Sequence, residues 1–378
     1  MYQPHLTSVV DLGALSRNVA TIKNHVAGPE VMAVVKADGY GHGLIATAHA
    51  SIAGGASWLG VALIQEALDL RQANIDTRIL AWLFTPQDQL VQAIKADVDL
   101  AVNSVWSVEQ IAQAASDAGQ VARVHIKLDT GLSRNGVLLQ DLAEVLRALS
   151  TPSSLANINV TGVMSHFANA DEQNHPTITK QLEEFTQAVD LVRASGFEPE
   201  VIHLANSAAI FGLPHTHFNL VRPGLTIYGV SPNSSIGSSA ELGITPVMSL
   251  RAPIALVKDL PAGSGISYSH QYVTAKDTRV ALVPAGYSDG IPRSGSNVGP
   301  VLVAGNILKI AGRVCMDQFV LDIGELPVSI GDEVVLFGDP AKGEPSVDDW
   351  AKATNTINYE ILTRLGPRIN RTFINESR

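Results

Sequence analysis

The chain has 378 residues, of which 46% are hydrophobic and only 16% charged, enough for a sizeable core and too apolar for a disordered chain. Its formal net charge of −10, without any Lys/Arg-rich run, argues against nucleic acid or an anionic membrane as a charge-driven partner. The single cysteine, Cys315, rules out an intrachain disulfide and fits a reducing cytosol.

The opening MYQPHLTSVVDLG lacks a basic segment followed by an apolar one, so no signal peptide is expected. No apolar run reaches spanning length, and a cytoplasmic protein is the expectation. Short Val/Ile-rich runs then recur at Val31–Val35, Trp58–Ala62, Arg78–Leu83, Val98–Val102, Arg123–Leu128, Val160–His166, Val201–Ala205 and Asn219–Arg222. Helix-period patterns flank or separate most of them: Asp11–Ala27, Leu63–Ala73, Pro86–Ala96, Trp106–Ala118, Leu139–Leu149 and Thr177–Ser195. Near-continuous apolar strands alternating with helices imply parallel strands buried on both faces. Eight of them in about 200 residues predict an N-terminal (β/α)8 TIM barrel; a doubly wound open sheet has the same periodicity.

Ser231–Thr245 is rich in Ser and Gly and reads as a linker. Beyond it, β-type runs at Met248–Lys258, Val280–Pro284, Val301–Val303, Ile307–Ala311, Phe319–Ile323 and Glu333–Phe337 predict a mainly-β C-terminal domain. Val347–Leu365 returns to a helical pattern.

Ligands of a parallel barrel sit at the C-terminal strand ends, and there the sequence places Lys36, Lys127 with Arg134, His166, Asn206-Ser207, and Arg222 with Gly224-Leu225. Taken singly, each has a plain reading: a lysine after a strand is a solvated charge, a histidine a hydrogen-bonded core group, an arginine a loop anchor, and glycines turn residues. Taken together they suit pyridoxal phosphate. Its aldehyde needs a lysine amine, and its phosphate needs backbone N–H groups and hydroxyls in the loops after strands seven and eight. A guanidinium can only donate, so Arg222 against the pyridine nitrogen would keep it unprotonated.

AVVKADGYGHG (33–43), HIKLDTGLSRNG (125–136), MSHFANADE (164–172), HLANSAA (203–209), VRPGLTIYG (221–229), GISYS (265–269), PAGYSDGIPR (284–293) and GRVCMDQ (312–318) resemble, in order, the motifs of alanine racemases. The similarity runs from about residue 6 to residue 370, and the ordered set is far more specific than any one motif. The resemblance implies a barrel over residues 9–235. It assigns residues 1–8 and 236–378 to the β domain, and implies a head-to-tail homodimer with shared active sites. It makes Lys36 the Schiff-base lysine and one catalytic base, and Tyr268, from the partner chain, the opposing base. Lys36 would take the proton from D-alanine and Tyr268 from L-alanine. Tyr40, Ser207, Gly224 and Leu225 would hold the phosphate, with Asn206 placing that loop. Arg222 would face the pyridine nitrogen, oriented by His166. Arg134 and, from the partner, Met316 would contact substrate. Lys127 matches a lysine that some members carry as a carbamate. No metal is implied, and the implied use of the product is D-alanine for peptidoglycan. One departure stands out: some members have a phosphate-contacting tyrosine near Pro367, and here there is none. Serine, lysine and broad-specificity racemases share these motifs. A non-catalytic pyridoxal phosphate carrier resembles the barrel alone, and a related decarboxylase places an acid where this chain has Arg222.

Overall fold

The computed structural model describes residues 5–376. Contacts divide the chain into two units: Leu15–Gly39 with Gly43–Ile244, and the residues up to Ala14 with Tyr40–His42 and Thr245 onward.

The first unit is the barrel. Its eight strands are Glu30–Val34, Trp58–Leu63, Arg78–Leu83, Val98–Val102, Ala122–Asp129, Ile158–Met164, Val201–His203 and Leu220–Val221. Successive strands pair in parallel from the first to the seventh, and the eighth pairs in parallel with the first. The remaining gap, between seventh and eighth, is bridged by a parallel pairing of Asn206 with Arg222, and the Arg222 N–H donates to the Ala205 carbonyl at 3.0 Å. The ring excludes the open sheet. Both faces of its strands are covered, so the runs lack a polar alternation; all five residues of Val98–Val102 are buried. Met32, Trp58, Leu80, Ala101, Met164, Val201 and Leu220 pack together as one apolar cluster, with Trp82 against it.

Local chemistry fixes the surrounding helices. Val105–Ala118 starts at Ser104, whose hydroxyl accepts from the Ser107 N–H, and stops at Gly119 in the left-handed region (φ 66°), the usual cap logic at the two ends. The stretch read as a linker is folded by its own hydroxyls: Ser231 Oγ donates to the Gly237 carbonyl at 2.6 Å, and the Ser231 N–H donates to Ser239 Oγ at 3.1 Å.

The second unit is mainly β. A six-stranded sheet runs in the order Asn306–Lys309, Pro300–Val303, Glu333–Phe337, Met248–Pro253, Thr7–Asp11 and Asn370–Ile374. Leu256–Leu260, Thr278–Val283 and Phe319–Asp322 form a second sheet. The run Met248–Lys258, expected as one strand, is therefore two strands in different sheets. Pro253, which has no N–H to extend a ladder, ends the first. The C-terminal helical run is likewise two helices, Val347–Thr354 and Asn358–Thr363, because Asn355 turns left-handed (φ 55°). Among the described residues no helix is long and apolar enough to cross a membrane.

Inside the barrel one glycine is required by space. A Cβ on Gly162 would lie 2.3 Å from Nδ1 of the fully buried His125. Gly162→Ala should therefore destabilise the chain by about 1–3 kcal/mol through overpacking, read as a lower urea midpoint at unchanged slope; an unchanged midpoint would show that the ring has room to move.

Candidate active site

Lys36 follows the first barrel strand at the start of an unusual turn. Ala37, Asp38, Gly39 and Tyr40 all have positive φ, between 52° and 62°. Three of these are not glycine, and each such residue is held there against a backbone preference of order 1 kcal/mol. The restraints are visible. Glu66 accepts the Ala37 N–H at 2.6 Å and the N–H groups of Ala62 and Leu63 at 3.0 Å. Asp38 Oδ1 accepts the Leu44 N–H at 2.8 Å. The turn thus anchors a half-buried lysine whose amine stands 6.0 Å from the centroid of the Trp82 ring. Burial, then the charge of Arg134, lowers the Lys36 pKa, with Glu66 opposing.

The rim is strongly cationic. Lys127 is buried, and its amine donates to the Asn135 carbonyl at 3.3 Å. Burial and the charges of Arg134 and Arg222 bring its pKa down to about 8, although Asp129 pulls the other way. Asp129 instead shapes the Arg134 loop, accepting the N–H groups of Gly131 and Ser133 at 3.0 Å and of Arg134 at 3.1 Å. His166, partly buried, sits in the field of Arg222, Arg134, Lys127 and Lys36. Burial first and these cations second push it down to about 3, so it is neutral at physiological pH.

The loops after strands seven and eight are cross-linked. Ser207 Oγ accepts the Gly224 N–H at 2.9 Å and lies 3.2 Å from Thr226 Oγ1. Asn206 Oδ1 accepts the Ala209 N–H at 3.1 Å, fixing the chain at Ser207. Hydroxyls and main-chain N–H groups are thereby gathered on a cationic rim, a donor set suited to a phosphate. Arg222, buried and brought to about 10 by that burial, stays charged. Its partners correct one expectation: the histidine hydrogen-bonded to it is His203, through Nη1 to Nδ1 at 3.1 Å, and three main-chain carbonyls take the remaining donors of Nη1 and Nη2. His166 is instead a neutral neighbour in its field.

In the β unit, Tyr40 is buried with its ring centroid 6.1 Å from that of Tyr359. Burial and Tyr359 raise the Tyr40 phenol well above its ordinary pKa, so it is a hydroxyl donor. Tyr268 is 69% exposed, flanked by Ser267, Ser269 and His270, all at positive φ. Met316 is 53% exposed. Their segments meet where Ser267 Oγ lies 3.2 Å from Cys315 Sγ. Near Pro367 the chain is held by Arg368, which donates to Asp289 and Asp317 at 2.8 Å. Among the described residues no group of three or more His, Cys, Asp or Glu side chains is arranged to hold a metal.

Sequence reading missed the supporting residues: Glu66, Asp129, Thr226, Tyr359 and the buried His203, His125 and Asp99. For Asp99, His125, Asp129 and His203 the available signal was a polar residue in an otherwise apolar strand.

Two family models match the chain: the alanine racemase N-terminal domain over residues 10–232 and the alanine racemase C-terminal domain over residues 247–373. Alanine racemases of Frankia casuarinae and Thermobifida fusca are each 48% identical, over 97% and 96% of this chain and 96% of each relative. Among solved structures, the alanine racemase of a D-cycloserine-producing Streptomyces lavendulae superposes with a TM-score of 0.98 at 47% identity, covering 100% of this chain and 99% of that one. That of Bacillus anthracis, with bound L-Ala-P, gives 0.92 at 33% identity, covering 100% and 97%.

The His166 environment has a pH signature. The unfolded chain takes up a proton on this histidine near pH 6.5, whereas the folded chain resists to about 3. This group therefore removes stability as pH falls below about 6.5. Histidine NMR should show no His166 transition between pH 5 and 8; a midpoint at its ordinary value would refute the cationic rim.

Proposed function

The chain belongs to the alanine racemase family, and we propose that it interconverts L- and D-alanine with pyridoxal 5′-phosphate joined to Lys36. The supporting observation is the charge at the barrel rim. Four cations, Lys36, Lys127, Arg134 and Arg222, act together on a neutral His166, and burial with the charge of Arg134 keeps the Lys36 amine below its ordinary pKa. A dianionic phosphate and a carboxylate are the chemistry such a rim would take.

The donor set fits the cofactor. Ser207, the N–H groups of Gly224 and Leu225, and the Tyr40 hydroxyl would hold its phosphate, with Asn206 fixing the loop. Arg222, able only to donate, would face the ring nitrogen. Once bound, the cofactor acidifies the α-hydrogen of an attached amino acid by spreading the charge left at Cα into its ring. Racemisation needs proton removal on one face of Cα and return on the other, hence a base on each. Lys36, with its depressed pKa, is one and takes the proton from D-alanine. Tyr268 is the other and takes it from L-alanine. Arg134 and the Met316 N–H hold the substrate carboxylate.

Tyr268 and Met316 are exposed, as side chains reserved for a second protomer's site would be, and the working unit is a head-to-tail homodimer. Its product supplies D-alanine for peptidoglycan, made in the cytoplasm. With a pKa of about 8, the Lys127 amine adds CO2 and releases a proton, giving a carbamate whose negative charge offsets Arg134.

An assay on L-alanine with and without added pyridoxal phosphate should show cofactor-dependent racemisation; none in either case would overturn the reading. Lys36→Ala and Tyr268→Phe should each lose at least about 100-fold in L-to-D turnover. Co-refolding these two inactive variants should recover about a quarter of parental activity, because half of the dimers carry one intact shared site. No recovery, with mixed dimers present, would place both bases in one chain. Carbon-13 bicarbonate should give a carbamate carbonyl resonance that Lys127→Ala lacks; its absence from the parent would leave Lys127 as a free amine.

A further inference from the structure

Arg222 buries a positive charge, and its hydrogen-bond partners among the described residues are main-chain carbonyls and one imidazole. Through that imidazole its hydrogen bonds continue across the barrel to a carboxylate. His203 Nε2 lies 2.8 Å from His125 Nδ1, and His125 Nε2 lies 3.2 Å from Asp99 Oδ2. Asp99, His125 and His203 are all fully buried. Beyond Asp99, Arg78 Nη2 donates to Oδ2 at 2.9 Å and Arg123 Nε donates to Oδ1 at 2.7 Å. The series runs from the catalytic rim, after the eighth strand, to the opposite end of the fourth strand, where Asp99 follows Val98.

Chemistry fixes the direction of every proton in it. A guanidinium only donates, so His203 Nδ1 must accept and carry no hydrogen. A neutral His203 then has its hydrogen on Nε2 and gives it to His125 Nδ1. His125 in turn has its hydrogen on Nε2 and gives it to the Asp99 carboxylate. A doubly protonated His125 is excluded, because His203 would then have to accept at both nitrogens, as an imidazolate. Burial lowers His203 far below the ordinary histidine range, reinforced by Arg222. Burial alone would raise Asp99, yet the hydrogen bonds from His125 and Arg123 bring it down to about 2, so the far end is anionic. Space is reserved for the arrangement by Gly162 beside the His125 ring.

We propose that Asp99, His125 and His203 are positioning residues for Arg222: a one-directional relay of hydrogen bonds, anchored on Asp99 at the far end of the barrel, that holds the guanidinium in place. Its catalytic consequence rests on the function proposed above, since Arg222 is the group assigned to the cofactor's ring nitrogen. The relay itself is a property of the protein without cofactor.

Two measurements test it. In full-length, cofactor-free protein labelled with nitrogen-15 histidine, His125 and His203 should each show a single neutral tautomer at neutral pH, with the hydrogen on Nε2. Their signals are assigned by loss in His125→Gln and His203→Gln. A doubly protonated ring, an Nδ1–H tautomer or a mixture would overturn the relay. In the holoenzyme, His203→Leu should lower kcat about tenfold, the worth of one hydrogen bond to a charged group, with KM within about twofold. His203→Gln, which can accept from Arg222 and donate to His125, should restore most of that loss. His125→Phe should act like His203→Leu while leaving His203 as the Nε2–H tautomer, which Arg222 alone dictates. Equal losses in the Leu and Gln variants, at native melting temperature, would reduce His203 to a packing residue. Correct tautomers in a parent protein that racemises nothing would leave the relay standing and sink the proposed reaction instead.

Discussion

A positive charge confined to a low-dielectric barrel mouth governs much of this structure. Arg222 follows the shortest of the eight barrel strands, Leu220–Val221, and its main chain pairs with Asn206 to bridge the last gap in the ring. The same residue therefore closes the sheet and carries charge to the rim. Around it Lys127 and Lys36 lose basicity and His166 loses it almost entirely. These shifts share their causes: burial first, then the charges of neighbouring cations. A site built this way attracts anions, and it keeps its amines partly in the free-base form that addition to a carbonyl requires.

The rest of the site is held by restraints that do not themselves meet a ligand. Glu66 spends one carboxylate on three main-chain N–H groups, and that arrangement holds the left-handed turn after Lys36. Asp129 does the same for the Arg134 loop. Ser207 and Gly224 tie two neighbouring loops together through a single hydroxyl. Each is a buried or half-buried acceptor matched to main-chain donors that would otherwise go unpaired. Catalytic side chains thus stand on backbone fixed from below.

Much of this was legible in the sequence, for identifiable reasons. The eight barrel strands stood out because both of their faces are buried, leaving apolar runs between helical periods. The rim residues stood out because parallel strands put function at one end. The β unit was harder: Met248–Lys258 reads as one apolar run, and only the missing N–H of Pro253 marks the change of sheet. The polar interior was harder still. His125 and Asp99 lie within strands that read as uniformly buried, and nothing local distinguishes a histidine bonded to Arg222 from one bonded to solvent. His166 illustrates the difficulty: it was paired with Arg222 by motif, while the hydrogen bond belongs to His203, which ends the neighbouring strand.

The bridge between Asn206 and Arg222 has a consequence for how the chain reaches its native state. The last two staves of the barrel are only three and two residues long, too short to hold together by ladder hydrogen bonds alone. Their junction is completed by residues of the site. Closing the ring at this seam and assembling the rim therefore depend on the same residues. A chain arrested before that step would have most of its secondary structure and no site. Quality control and selection for activity would therefore act on the same few residues, and drift at the seam would be visible first as lost yield of folded protein rather than as slower turnover.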